Sequence, residues 1–156
     1  MALAPETVQD YPRPPRIEPA GAVLRVILGG EEIVHTAEAL RVLETHHAPT
    51  YYLPRAAILA DIAPAPGRSF CEWKGRARYW TLSAGGRTAP RCAWDYPDPA
   101  PGFAALKDHL AIYAHAMDAC FVGSMEVTPQ PGDFYGGWVT PNLRGLVKGG
   151  PGTEGW

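Results

Sequence analysis

Little in this chain is charged in excess, and that shortage removes one class of partner. Fourteen Lys and Arg stand against 16 Asp and Glu, a formal net charge of −2. A general nucleic-acid binder carries a basic surplus to neutralise phosphates, so nucleic acid is not expected as a partner. Long apolar runs are also missing. No stretch approaches the roughly 18 residues that cross a bilayer. Met1 to Asp10 shows neither the basic region nor the apolar segment of a secretory signal. The reading is a soluble, cytoplasmic protein with no membrane partner. Cysteine is scarce as well. Cys71, Cys92 and Cys120 are widely spaced, without a C-x-x-C pair. A structural zinc wants four ligands in close pairs, and a disulfide framework wants an even count. Free thiols, buried or half-buried as small hydrophobes, are expected instead, with no metal and no cofactor.

Glycine and proline, 17 of each, are abundant. They predict a loop-rich fold, mainly β with one main helix (α+β). Residues 1–20 hold five prolines and little to bury, which reads as an extended arm. Val23–Leu28 is β-branched and ends at Gly29-Gly30, a strand and tight turn, with Glu32–Thr36 returning. Ala39–Glu44 fits a helical turn or a strand. Thr50–Leu53 reads as a strand, Arg55–Leu59 as one helical turn. Further strands are expected at Ser69–Trp73, Ala77–Ser83 and Arg91–Asp95, with Gly75 at a bulge or bend and Gly85-Gly86 at a turn. Phe103, Leu106, Leu110 and Tyr113 recur at helical spacing, predicting a helix over Phe103–His115. Phe121-Val122 closes the domain, giving a body at 21–128. The segment 129–156 is rich in Gly and Pro yet carries Phe134, Tyr135, Trp138 and Trp156, so it should pack on that body.

The most concentrated chemistry runs from Cys71 to Pro99. Trp73, Tyr79, Trp80, Trp94 and Tyr96 alternate there with Glu72, Lys74, Asp95 and Asp98. Rings with an apolar body and a hydrogen-bonding tip line sites that are dry yet directional. Tyr52, Tyr79 and Trp94 are the expected walls of such a cleft, with His47 or Arg55 at its mouth. In an extended strand Glu72 and Lys74 would share a face. Lys74 would then anchor an anionic or carbonyl-bearing small molecule, and Glu72 would orient Lys74 or exchange protons. The bland alternatives are an ion pair at a sheet rim and plain core packing of the rings. His46-His47 sits in a predicted loop and is a weak metal signal, because strand neighbours face apart. Lys148–Thr153 lacks the order of a phosphate loop and reads as a structural turn that lays Trp156 on the body.

Taken in order, Ala39–Glu44, Tyr51-Tyr52-Leu53-Pro54-Arg55, C-x-W-K-G-x-A-x-Y-W at Cys71–Trp80 and Ala93-Trp94-x-Tyr96-Pro97-x-Pro99 resemble the bacterial domain-of-unknown-function family 427. The resemblance covers residues 22–122. The segment with Phe134–Trp138 and Lys148–Trp156 is similar to an extension carried by a subset of that family. The resemblance implies a β-tent, two small antiparallel sheets leaning together, and makes Ala39–Glu44 a strand. Many proteins of that fold, methionine-R-sulfoxide reductases among them, pin the sheets with a zinc held by two C-x-x-C pairs. This chain lacks those pairs, so burial of Trp73, Trp94 and the helix face, each ring contributing about 2–3 kcal/mol, is expected in its place. The resemblance carries no established activity. A nucleotidyltransferase reading rests on a family label alone, without a Gly-Ser element and paired carboxylates. A reductase reading lacks a resolving cysteine. Two readings stay open: a small-molecule-binding domain or enzyme, and a protein-interaction or self-association module such as a homodimer.

Overall fold

The computed structural model describes residues 4–132, 134–153 and 156; expectations touching residues 1–3 of the arm or Gly155 of the C-terminal segment lie outside the described residues. In chain order the strands are β1 (Glu6–Thr7), β2 (Arg16–Pro19), β3 (Leu24–Leu28), β4 (Glu31–Thr36), β5 (Leu40–Leu43), β6 (Thr50–Pro54), β7 (Asp61–Cys71) and β8 (Gly75–Ala84). They continue as β9 (Arg87–Asp95), β10 (His109–Ile112), β11 (Ala119–Val122), β12 (Met125–Glu126), β13 (Thr128–Pro129), β14 (Trp138–Val139) and β15 (Leu143–Arg144). One sheet has the order β2-β5-β6-β10-β9-β8-β7, and a second has β12-β11-β3-β4. Both are antiparallel and open; β1 and β15 make a short parallel pair. Helix is confined to 3-10 turns, and no helix among the described residues is long and apolar enough to cross a membrane.

Alternation along the strands builds two cores. In β3, Leu24, Val26 and Leu28 are fully buried between half-buried Arg25 and Ile27, so one face points inward. They pack with Tyr51, Leu53, Leu82, Leu110 and Ile112 of the larger sheet, and this main core lies between the sheets. The opposite face of the larger sheet carries a second core, including Tyr52, Tyr79, Trp94, Tyr96 and Ala111, capped by Phe103 and Leu106. Tyr51-Tyr52-Leu53 and Leu110-Ala111-Ile112 are therefore buried on both faces, as suits central strands.

The sheets touch at their hairpin tips. A Cβ on Gly29 would lie 2.0 Å from the Ala84 carbonyl oxygen, and one on Gly85 would lie 1.9 Å from that of Gly29. Both glycines have positive φ, 60° and 58°. Only glycine permits this backbone-to-backbone approach. Asp118 ties the junction by accepting the Gly30 N–H at 2.8 Å and pairing with Arg87.

Two expectations are corrected here. The region Phe103–His115 is not one helix. It is a 3-10 turn (Pro101–Leu106), β10, and a second 3-10 turn (Ala114–Ala116). Asp108 takes a left-handed φ of 63°, which breaks any helix, and Leu110-Ala111-Ile112 leaves no polar helical face. The strand expected over Ser69–Trp73 ends at Cys71, and Glu72–Lys74 forms the turn to β8, with Gly75 at φ 114°. The N-terminal arm packs on the body. Val8 and Tyr11 are buried against Leu43, and β2 pairs with β5. Buried Arg41 reaches Glu6 at 2.9 Å and Glu18 at 2.8 Å, holding the arm to the sheet.

Candidate functional site

Because Tyr52, Tyr79 and Trp94 follow the period of their strands, all three project from the same face of the larger sheet. Tyr96 and Tyr113 join them. Trp94 and Tyr113 lie 4.5 Å apart between ring centroids, Tyr52 and Tyr96 6.4 Å. The Tyr79 hydroxyl donates to Ser69 Oγ at 2.8 Å. Burial raises the Tyr52, Tyr96 and Tyr113 phenols above their ordinary range, so they stay protonated. These rings enclose a cavity of about 280 Å³, bounded at one side by the Glu72–Lys74 turn and at another by Glu44 and His47. The two sequence motifs meet at that turn: the Ala100 N–H donates to the Lys74 carbonyl at 2.9 Å.

The C-terminal segment closes the far side. Trp138 is buried, stacks on Tyr51 at 5.3 Å, and donates its indole N–H to the Ile112 carbonyl at 3.0 Å. This anchor carries Phe134–Gly137 over the cleft, where Tyr113 donates to the Phe134 carbonyl at 3.1 Å. A Cβ on Gly136 would sit 2.0 Å from the Trp94 ring, so any larger residue would displace the indole. Phe134 itself remains exposed, and Trp156 is half covered, 4.3 Å from the His46 ring.

Electrostatics divide the cleft. Lys74 is only 9% exposed, and its Nζ lies 5.9 Å from the Tyr96 centroid. No carboxylate among the described residues lies within 4.0 Å of it. Lys148 Nζ similarly faces Tyr135 at 5.5 Å. His47 is pushed down to about 4, first by desolvation and then by Lys148, Lys74, Arg13 and His46, so its ring is neutral. Gln130 sets the tautomer. Its Oε1 accepts the Ala48 N–H at 3.1 Å, which turns its amide nitrogen toward His47 Nδ1 at 3.3 Å and the Lys148 carbonyl at 3.0 Å. Nδ1 accepts, so Nε2 carries the hydrogen. That nitrogen lies 3.8 Å from Glu44.

Of the site residues read from sequence, Tyr52, Glu72, Lys74, Tyr79, Trp94 and His47 border this one cavity. Arg55 does not. Its guanidinium stacks on Trp80 at 4.8 Å, and Trp80 packs on the main-core face of the sheet, opposite Tyr79. The expected common face for Glu72 and Lys74 is corrected too: in a turn rather than a strand, Glu72 is exposed, Lys74 buried, and no ion pair joins them among the described residues. Cys71 borders the cavity half-buried, while burial lifts Cys92 to about 11 and Cys120 to about 12, leaving them inert thiols of the main core. Sequence reasoning missed Glu44, Gln130 and Lys148. A basic residue in a Gly/Pro-rich segment otherwise read as a turn was the only available signal, and Gln130 offered none.

A family model described as a domain of unknown function (DUF427) matches residues 16–123. A comparison with curated proteins finds no match.

Proposed function

The chain belongs to the DUF427 family, and from that premise and the cleft's geometry we propose that it is a small-molecule-binding domain whose ligand lies among Tyr52, Tyr79 and Trp94. Family membership assigns no chemistry here, and fold does not supply it. Contact of the two sheets through Gly29 and Gly85 supports the β-tent reading of the architecture. The observation that carries the functional reading is Lys74. Its side chain is largely covered, yet among the described residues its ammonium meets a tyrosine face and no carboxylate, which leaves it available to an anion or a strong acceptor. A ligand carboxylate, phosphate or carbonyl oxygen would supply the partner, while the rings exclude water and hold an apolar body. Glu72, exposed at the rim, would act on the ligand's solvent side.

The test uses benzoate, a ring with one negative charge, in ligand-observed NMR on the full chain. Lys74→Met should weaken binding at least about tenfold, the worth of one charge-assisted hydrogen bond. Its melting temperature should stay close to that of the parent chain. Equal binding by the two proteins would remove Lys74 from the site.

A second reading has its own observation. Phe70 and Phe134, 72% and 68% exposed, both border the same cleft. Exposed rings of this kind dock partners, including a second copy of the chain. Sedimentation of the parent and of a Phe70→Ser/Phe134→Ser variant decides it: a monomer in both cases removes self-association.

A further inference from the structure

We propose that the cleft selects a doubly charged oxyanion borne on a small ring compound, a phosphate monoester in the simplest case, and that residues 130–148 complete its binding site. The proposal rests on the reading of the cleft as a ligand site and names the ligand's chemistry.

Charge counting comes first. Two ammoniums, Lys74 and Lys148, border the cavity, and each faces a tyrosine ring rather than a carboxylate among the described residues. Of the two cavity carboxylates, Glu72 is exposed at the rim. Glu44 is already faced by the Arg13 guanidinium at 3.9 Å. With one carboxylate at the rim and the other paired with Arg13, the two ammoniums of the lining are left without a carboxylate partner among the described residues. A monoanion would leave one of them unmet.

Donor geometry points the same way. Both ammoniums border the same cavity as His47. The Gln130 amide commits the His47 ring to an N–H at Nε2, a neutral donor on the Glu44 side. Two ammoniums bordering one cavity match an oxyanion with two negative charges and several acceptor oxygens better than a planar carboxylate. Lys148 is not a loose surface residue. Its N–H donates to the His46 carbonyl at 2.7 Å, and its own carbonyl accepts from Gln130. The volume of about 280 Å³ has room for one ring and one head group.

The family match stops at residue 123, whereas Gln130, Gly136 and Lys148 lie beyond it. Selection for the second charge is thus a property of this chain's C-terminal segment, and Lys74 alone belongs to the matched portion.

The experiment compares phenyl phosphate, inorganic phosphate and benzoate by NMR titration of the full chain at about pH 8, where a phosphate monoester is a dianion. Phenyl phosphate should bind at least about tenfold more tightly than either probe that lacks the ring or the second charge. Lys148→Met should remove that advantage and leave benzoate affinity within about threefold, while Lys148→Arg keeps it. Lys74→Met should weaken both ring compounds. If benzoate binds through Lys74 but phenyl phosphate is no tighter, or if Lys148→Met and Lys148→Arg both bind phenyl phosphate as the parent does, the dianion proposal fails and the cleft reading stands. No binding of any of the three probes overturns both.

Discussion

Burial fixes the charge of His47 before any ligand arrives. Its imidazole is held at about 4 against an ordinary 6.5, by desolvation first and by Lys148, Lys74, Arg13 and His46 after it. Between those two values the unfolded chain binds a proton that the native ring refuses, so the native state loses stability as pH falls from 6.5 toward 4 and is unaffected above. The loss is on the order of 3 kcal/mol at full protonation. Urea denaturation across this range should show the decline in the parent chain, and His47→Gln should flatten it. An unchanged slope in the variant would place the titration elsewhere. Glu6 stays lowered because hydrogen bonds from Arg41 and Tyr11 outweigh its burial, and Asp118 is lowered first by the Gly30 N–H, so the stability each supplies at neutral pH is lost only at more acid pH. The contrast between Arg41 and Lys74 is informative at this scale. Arg41, similarly buried, meets two carboxylates and serves the fold, whereas Lys74 meets none among the described residues.

Among the elements, the C-terminal segment matters most, because its own backbone pairing is slight. The strand β14 is two residues long and pairs with β13 alone. Trp138 supplies the attachment through ring contact with Tyr51 and its bond to the Ile112 carbonyl. Trp138→Ala should cost about 3–5 kcal/mol, seen as a lower urea midpoint, because a fully buried ring leaves a cavity and an unmet carbonyl. Benzoate binding should weaken in the same variant, since the segment that roofs the cleft loses its anchor. Stability loss below about 1 kcal/mol would mean the segment is held by other contacts. The misread region 103–115 belongs to this scale too. Its apolar spacing satisfies a helical period, but β10 is covered on both faces, and a fully apolar run carries no period that separates strand from helix.

For the molecule as a whole, the decisive contact is the one between sheets. Gly29→Ala would place a methyl against backbone atoms of Ala84 and Gly85, which cannot rotate away, so the hairpin tips must part. A loss of about 3 kcal/mol or more is expected. Gly30→Ala, at a similar φ of 77° but with nothing within 4 Å, isolates the conformational strain and should cost only about 1 kcal/mol. Thermal melts of the pair check this directly. Equal losses would show that the sheets do not depend on close approach at their tips.

Sequence alone determined the β-rich class, the hairpins at Gly29-Gly30 and Gly85-Gly86, and the gathering of aromatics with Lys74. Those features are local: alternation chooses a face, paired glycines permit a tight turn, and residues of one strand face stay neighbours wherever the strand goes. Tertiary structure alone decided that Glu72 and Lys74 part at a turn, that Arg55 lies behind the sheet, and that Gln130 and Lys148 arrive beside His47. Such meetings join residues some eighty to a hundred positions apart, and they depend on which groups remain unburied after both cores have formed. No window of sequence holds that remainder, because it is set by the packing of the whole chain.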